Sequence, residues 1–116
     1  MNNETTKNAI ETAAYAVRVN TNHATTAAIE AKKRAESGNH WTAQSHLDEA
    51  ERFQAIAEAF ATVAGDTDGA RNMVAGSASL LRAAREAVAA AKERYLEKQK
   101  TEAIRDLIRE ITKNLG

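Results

Sequence analysis

Ser37-Gly38-Asn39-His40 and Ala64-Gly65-Asp66-Thr67-Asp68-Gly69 decide the fold, because they are the only clean breaks in a chain otherwise made for helix. In each, a glycine is followed at once by Asn or Asp. Glycine suits the left-handed position that ends one helix, and Asn or Asp suits the cap that starts the next. Around these breaks the 116 residues include 26 alanines and no proline. Alanine is the best helix former, and proline disfavours a helix interior by about 3 kcal/mol. Two short breaks therefore divide the chain into three long helices, and short connections make consecutive helices antiparallel neighbours. The expected fold is all-α: an antiparallel helical bundle of three long helices in a single helical domain over residues 1–116.

The first helix is expected from about Glu4 to Ser37. Ile10, Ala13, Ala14, Val17, Ala24, Ala27, Ala28, Ala31 and Ala35 recur along it at three- and four-residue spacing. Its weak stretch is Asn20–Thr26, where Asn and Thr side chains compete for backbone bonds or crowd the previous turn; a continuous helix is expected, with a kink or local break here as the alternative. The second helix is expected from about Trp41 to Ala64. Its inner face reads Ala43, Leu47, Ala50, Phe53, Ala57, Phe60, Ala61 and Ala64. Leu47, Phe53 and Phe60 are the expected anchors of the core, since a buried Leu or Phe contributes roughly 1.5–3 kcal/mol.

The third helix begins near Asp68 and carries two apolar stripes. Leu81, Ala84, Val88, Ala91 and Tyr95 form one, and Ile104, Leu107, Ile108, Ile111 and Leu115 form the other. At about 100° per residue, the 27 steps from Leu81 to Ile108 turn the second stripe roughly 180° from the first. Either the chain breaks near Lys98-Gln99-Lys100-Thr101, with Thr101 capping a fourth, C-terminal amphipathic helix over 101–116, or it runs straight and shows its tail to another partner.

Gly38-Asn39-His40-Trp41-Thr42-Ala43, followed by Leu47 and Ala50, resembles the turn and second helix of tetratricopeptide repeats over about 13 residues. The turn recurs more weakly at Gly65, 27 residues on rather than the family's 34. The family's first-helix Trp, Leu and Gly and its closing proline have no counterpart, so the resemblance implies a helical hairpin. The small helical hairpins exported by type VII secretion are similar in length, in lacking cysteine and in lacking a signal stretch. Their turn carries Trp-x-Gly, whereas here Gly38 precedes Trp41.

Composition bounds the function. Lys plus Arg and Asp plus Glu are 16 each, so the formal charge is zero, and there is no cysteine. A disulfide framework, a thiolate metal site and a cysteine nucleophile are excluded. No apolar run approaches a membrane span, and Met-Asn-Asn-Glu-Thr-Thr is no apolar signal stretch, so a cytoplasmic protein without membrane contact is expected. His23, His40 and His46 show no metal-ligand spacing and read as exposed polar residues. His46 and Glu49 share a face, as one half of a carboxylate–histidine site would. Asp66 and Asp68 read as helix caps, because the twelve-residue calcium spacing and its closing Glu are missing.

Arg82, Arg85, Lys92, Arg94, Lys98 and Lys100 make the third helix basic, and Glu86, Glu93 and Glu97 reduce this to +3 over 82–100. Such mixing reads as a solvated face, so nucleic acid is an unfavoured partner. With no catalytic constellation and no cofactor motif, the expectation is a non-enzymatic protein–protein interaction module: an adaptor, inhibitor or assembly factor. Its partner interface is Ile104, Leu107, Ile108, Ile111, Leu115 and Trp41; Trp41, beside the exposed turn, reads first as a cap on the bundle end and second as an interface anchor, since Trp is enriched at binding hot spots. Tyr15, on the flank of the first helix, is a lesser candidate. The partner is another protein or a second copy. The alternative is a small DNA-binding regulator using a helix-turn-helix across one glycine break. Circular dichroism is expected to read more than about three-quarters helix from this composition, and a substantial strand signal would refute the reading.

Overall fold

The computed structural model describes residues 3–116, and nearly all of them are helical: α1 spans Asn3–Glu36, α2 His40–Ala64 and α3 Ala70–Leu115, with a short 3-10 turn, Thr67–Gly69, before α3. No strand occurs among the described residues.

The first break closes as its chemistry requires. Gly38 takes the left-handed conformation at φ +88°. The Asn39 amide donates to the Arg34 carbonyl at 2.9 Å and the Gly38 amide to the Ala35 carbonyl at 3.0 Å, the paired bonds of a glycine-terminated helix. Asn39 then caps α2, its Oδ1 accepting the Thr42 amide at 3.1 Å. The second break differs from expectation. Gly65 sits at φ +59°, ψ −123°, a region open essentially to glycine alone. Neither Asp66 nor Asp68 caps through its side chain. The Asp66 carboxylate instead pairs with Arg71 at 3.1 Å. Asp68 itself takes φ +51°, which Asp tolerates better than most side chains, and the α-helix starts two residues later than expected, at Ala70.

Asn20–Thr26 does not interrupt α1. Its polar side chains bond back onto the helix: Asn20 Nδ2 donates to the Ala16 carbonyl at 2.8 Å, Thr21 Oγ1 to Val17 at 2.8 Å and Thr26 Oγ1 to Asn22 at 2.9 Å. Competition between side chain and backbone is thereby resolved inside the helix.

The core is alanine. Among the described residues 18 apolar side chains are buried, of which 14 are alanines and only Val17, Leu47, Leu81 and Val88 are larger. One cluster joins Val17 and Ala14 to Ala64 and Ala70; the other joins Ala31 and Ala35 to Ala43, Leu47, Leu81, Val88 and Ala91. The two phenylalanines are not the expected core anchors. Phe53 is half-buried, its ring stacked on His23 at 4.8 Å, and Phe60 is 40% exposed. The buried line of α2 is Ala43, Leu47, Ala50, Gln54, Ala57 and Ala64, and both rings lie roughly 70–90° around the helix from its mean direction. Small residues along the centre of a helix contact draw the backbones together and leave no space for a ring, so the rings go to the rim. Gln54 occupies the line as a polar bridge. It donates to the Val74 carbonyl at 3.1 Å and accepts the Ser77 hydroxyl. Among the described residues no buried side-chain polar atom lacks a partner.

The molecule is a rod of 88 × 20 × 15 Å. Burial in α1 begins at Ala13 and burial in α3 ends at Ala91. Ile10 is half-buried, and Lys92, Tyr95 and Leu96 still meet the start of α2, so Asn3–Ala9 overhangs one end by about 10 Å and Glu97–Leu115 overhangs the other by about 28 Å. The C-terminal stretch is not a separate fourth helix, because α3 runs unbroken through Thr101.

The buried Leu47 and Leu81 are the large side chains whose truncation should be felt. Leu47→Ala and Leu81→Ala are each expected to lose about 2–5 kcal/mol, and Phe60→Ala less than about 1.5 kcal/mol, in equilibrium urea unfolding. A Phe60→Ala loss equal to theirs would place the core elsewhere.

Candidate interaction surface

Past Ala91 every residue of α3 is exposed. The stretch is helical because nothing in it breaks a helix and local pairs support it. Lys100 meets Glu97 at 3.3 Å and Arg109 meets Asp106 at 3.4 Å, both one turn apart. Thr101, expected as a cap, instead donates its hydroxyl to the Glu97 carbonyl at 2.9 Å. A threonine can cap a new helix or bond back into an old one, and the uninterrupted run of helix formers before it selects the second.

The straight helix leaves the apolar stripe bare. Ile104, Leu107, Ile108 and Ile111 are 50–60% exposed and Leu115 is 83% exposed. The bundle-facing line, Leu81, Ala84, Val88 and Ala91, is buried on the opposite side of the same helix. A second, smaller exposed stripe, Ile56, Phe60 and Val63, lies on α2 at one-turn spacing.

Trp41, 70% exposed, does not lie with the stripe. It stands where α3 leaves the bundle, about two and a half turns before Ile104. There the His40 ring packs at a tilt between aromatic rings, its centre 4.5 Å from that of Trp41 and 4.4 Å from that of Tyr95, while Trp41 and Tyr95 meet edge-on at 6.3 Å. Lys92 and Leu96 complete a nearly wholly apolar cleft of about 210 Å³. The Lys92 ammonium is turned to the Gln44 amide oxygen. His40 departs from its reading as an exposed polar residue: it is 5% exposed, buried by ring packing. Composition gave no sign of this, because Tyr95 lies 55 positions further along the chain. Tyr15 is exposed and carries the Arg18 guanidinium 5.2 Å over its ring.

The remaining histidines face a shallow groove of about 200 Å³ between α1 and α2, lined by His23, Glu30, His46 and Glu49. Among the described residues no three His, Asp or Glu side chains gather as a metal site would need. Glu30 is held by Arg34, whose Nε donates to its carboxylate at 2.9 Å. That hydrogen bond, with smaller contributions from the charges of Arg34, Lys33 and His46, holds the Glu30 carboxyl below its ordinary pKa. Of the basic residues on α3, Arg85 is paired with Glu51 at 2.9 Å and Lys100 with Glu97. No described helix is long and apolar enough to cross a membrane.

The molecule is thus an all-helical rod with a bare apolar arm. No family model, no curated protein and no solved structure matches the chain.

Arg34→Ala removes the main cause of the Glu30 shift. The Glu30 carboxyl is expected to titrate at higher pH in this variant, followed by side-chain carboxyl NMR. An unchanged midpoint would mean that the ion pair does not form in solution.

Proposed function

We propose that the chain is a non-enzymatic protein–protein interaction module: an antiparallel three-helix bundle that holds out one arm of α3 as its binding surface. The observation that carries the reading is the exposure of Ile104, Leu107, Ile108, Ile111 and Leu115 on a helix that has already left its own bundle. Contiguous apolar patches of several hundred Å² on a folded chain mark interfaces. The antiparallel reading of the bundle rests on contact order. Gln44 meets Lys92, Glu51 meets Arg85 and Gln54 meets Ser77, so rising numbers on α2 meet falling numbers on α3. The exposed Trp41, beside Tyr95 at the root of the arm, is a second anchor of the kind enriched at hot spots. A role as adaptor, inhibitor or assembly factor needs no cofactor, and a cytoplasmic setting agrees with a chain that carries no cysteine.

Ile108→Asp/Ile111→Asp tests the reading without touching the buried core. Immobilised wild-type protein is expected to retain a discrete set of polypeptides from host extract, its own chain included, and the double variant to lose them with an unchanged helical spectrum. Retention should survive high salt, whereas a nucleic-acid contact would weaken steeply through counterion release. Identical retention by both proteins, or loss of all bound material in salt, would overturn the assignment.

A further inference from the structure

We infer that the arm of α3 pairs with the arm of a second copy, antiparallel, about a two-fold axis between Arg105 and Asp106. The inference rests on the interaction-module reading and names its partner.

Three observations carry it. The first is position. On the exposed face of α3, reversal about that axis brings Leu96 opposite the second copy's Leu115, Ala103 opposite Ile108 and Ile104 opposite Leu107. All six side chains are exposed, so the face is its own complement, as a two-fold interface requires. The second is charge. Glu97 and Lys100 lie along the same face by helical phase. Parallel pairing would set each against its own copy, and like charges across a helix pair are unfavourable. Antiparallel pairing sets Glu97 against Asn114 and Lys100 against Ile111, where the long lysine stem lies on apolar surface and its ammonium reaches solvent. The third is area. The five stripe residues, 50–83% exposed, form a contiguous patch of several hundred Å². Two such faces, with Leu96 and Ala103 added, approach about 1,000 Å², the lower bound for a specific interface. A single overhang of about 28 Å gives room for this pairing while the two bundles stand clear at opposite ends.

The register also ties the arm to the aromatic cleft. Leu96 lines the cleft with Trp41 and Tyr95, and the second copy's Leu115 arrives at Leu96. Stripe and tryptophan, separate in one chain, then belong to one surface.

The chain has no cysteine, so introduced thiols report without background. Leu96→Cys and Leu115→Cys stand at exposed positions, outside the buried core. Wild-type protein is expected to sediment at twice 12.6 kDa, and an oxidised mixture of the two single-cysteine proteins to give the mixed L96C–L115C disulfide in preference to either self-linked species. Ile104→Asp/Leu107→Asp is expected to halve the sedimenting mass with no loss of helical signal. A monomer at high concentration, a mass above the dimer, or dominant L115C–L115C linkage overturns the pairing. A monomer that still captures a different protein through the stripe defeats this inference alone and leaves the module reading standing. Loss of both self-association and capture defeats both.

Discussion

The 3.6-residue turn of one uninterrupted helix governs where every apolar residue of α3 ends up. Leu81, Ala84, Val88 and Ala91 are in phase with each other and are buried. Ile104, Leu107, Ile108 and Ile111 are in phase with each other and half a turn away from the first set. As long as the backbone bonds continue through Lys98–Thr101, no side-chain adjustment brings the second set to the bundle. The continuity of those few residues therefore separates a rod with an exposed arm from a four-helix fold. It is maintained by residues that favour helix and by pairs such as Lys100–Glu97.

The composition of the core produces the complementary half of the arrangement. Alanine at most buried positions lets helices approach closely but hides little apolar area per residue. The larger side chains are displaced outward: Phe53 to the rim against His23, Phe60 and Ile56 to the open side of α2, and the isoleucines to the arm. Specificity in so uniform a core comes from polar bridges as well as shape. Gln54, joined to Ser77 and to the Val74 carbonyl, has one position along α3 at which its bonds are satisfied, and so fixes the register of α2 against α3.

The junction where α3 leaves the bundle is the part of the surface built from several elements. His40 comes from the start of α2, Tyr95 from one turn past the last buried residue of α3, and their tilted ring contacts with Trp41 stand at that end of the bundle. Leu96, at the root of the arm, lines the cleft with them, so the root of the arm and its apolar stripe present related chemistry.

Much of this was legible in residue order because it depends on local chemistry. Alanine without proline dictates helix, Gly38-Asn39 dictates a stop and a start, and the phase of Ile108 against Leu81 follows from helix geometry alone. Even the six proposed interface residues can be read off as the large apolar groups that the helical faces leave over. What local chemistry left open were choices between alternatives of similar energy. Thr101 is as able to cap as to bond back, and only the continuous helix shows that it bonds to Glu97. Phe60 has an apolar neighbourhood in sequence, yet the close approach of alanine-lined helices puts it at the rim. His40 reads as polar surface until Tyr95 arrives from another helix to bury it. Each of these depends on which atoms meet across helices, and pairings between distant positions have no signature in the order of residues along one chain.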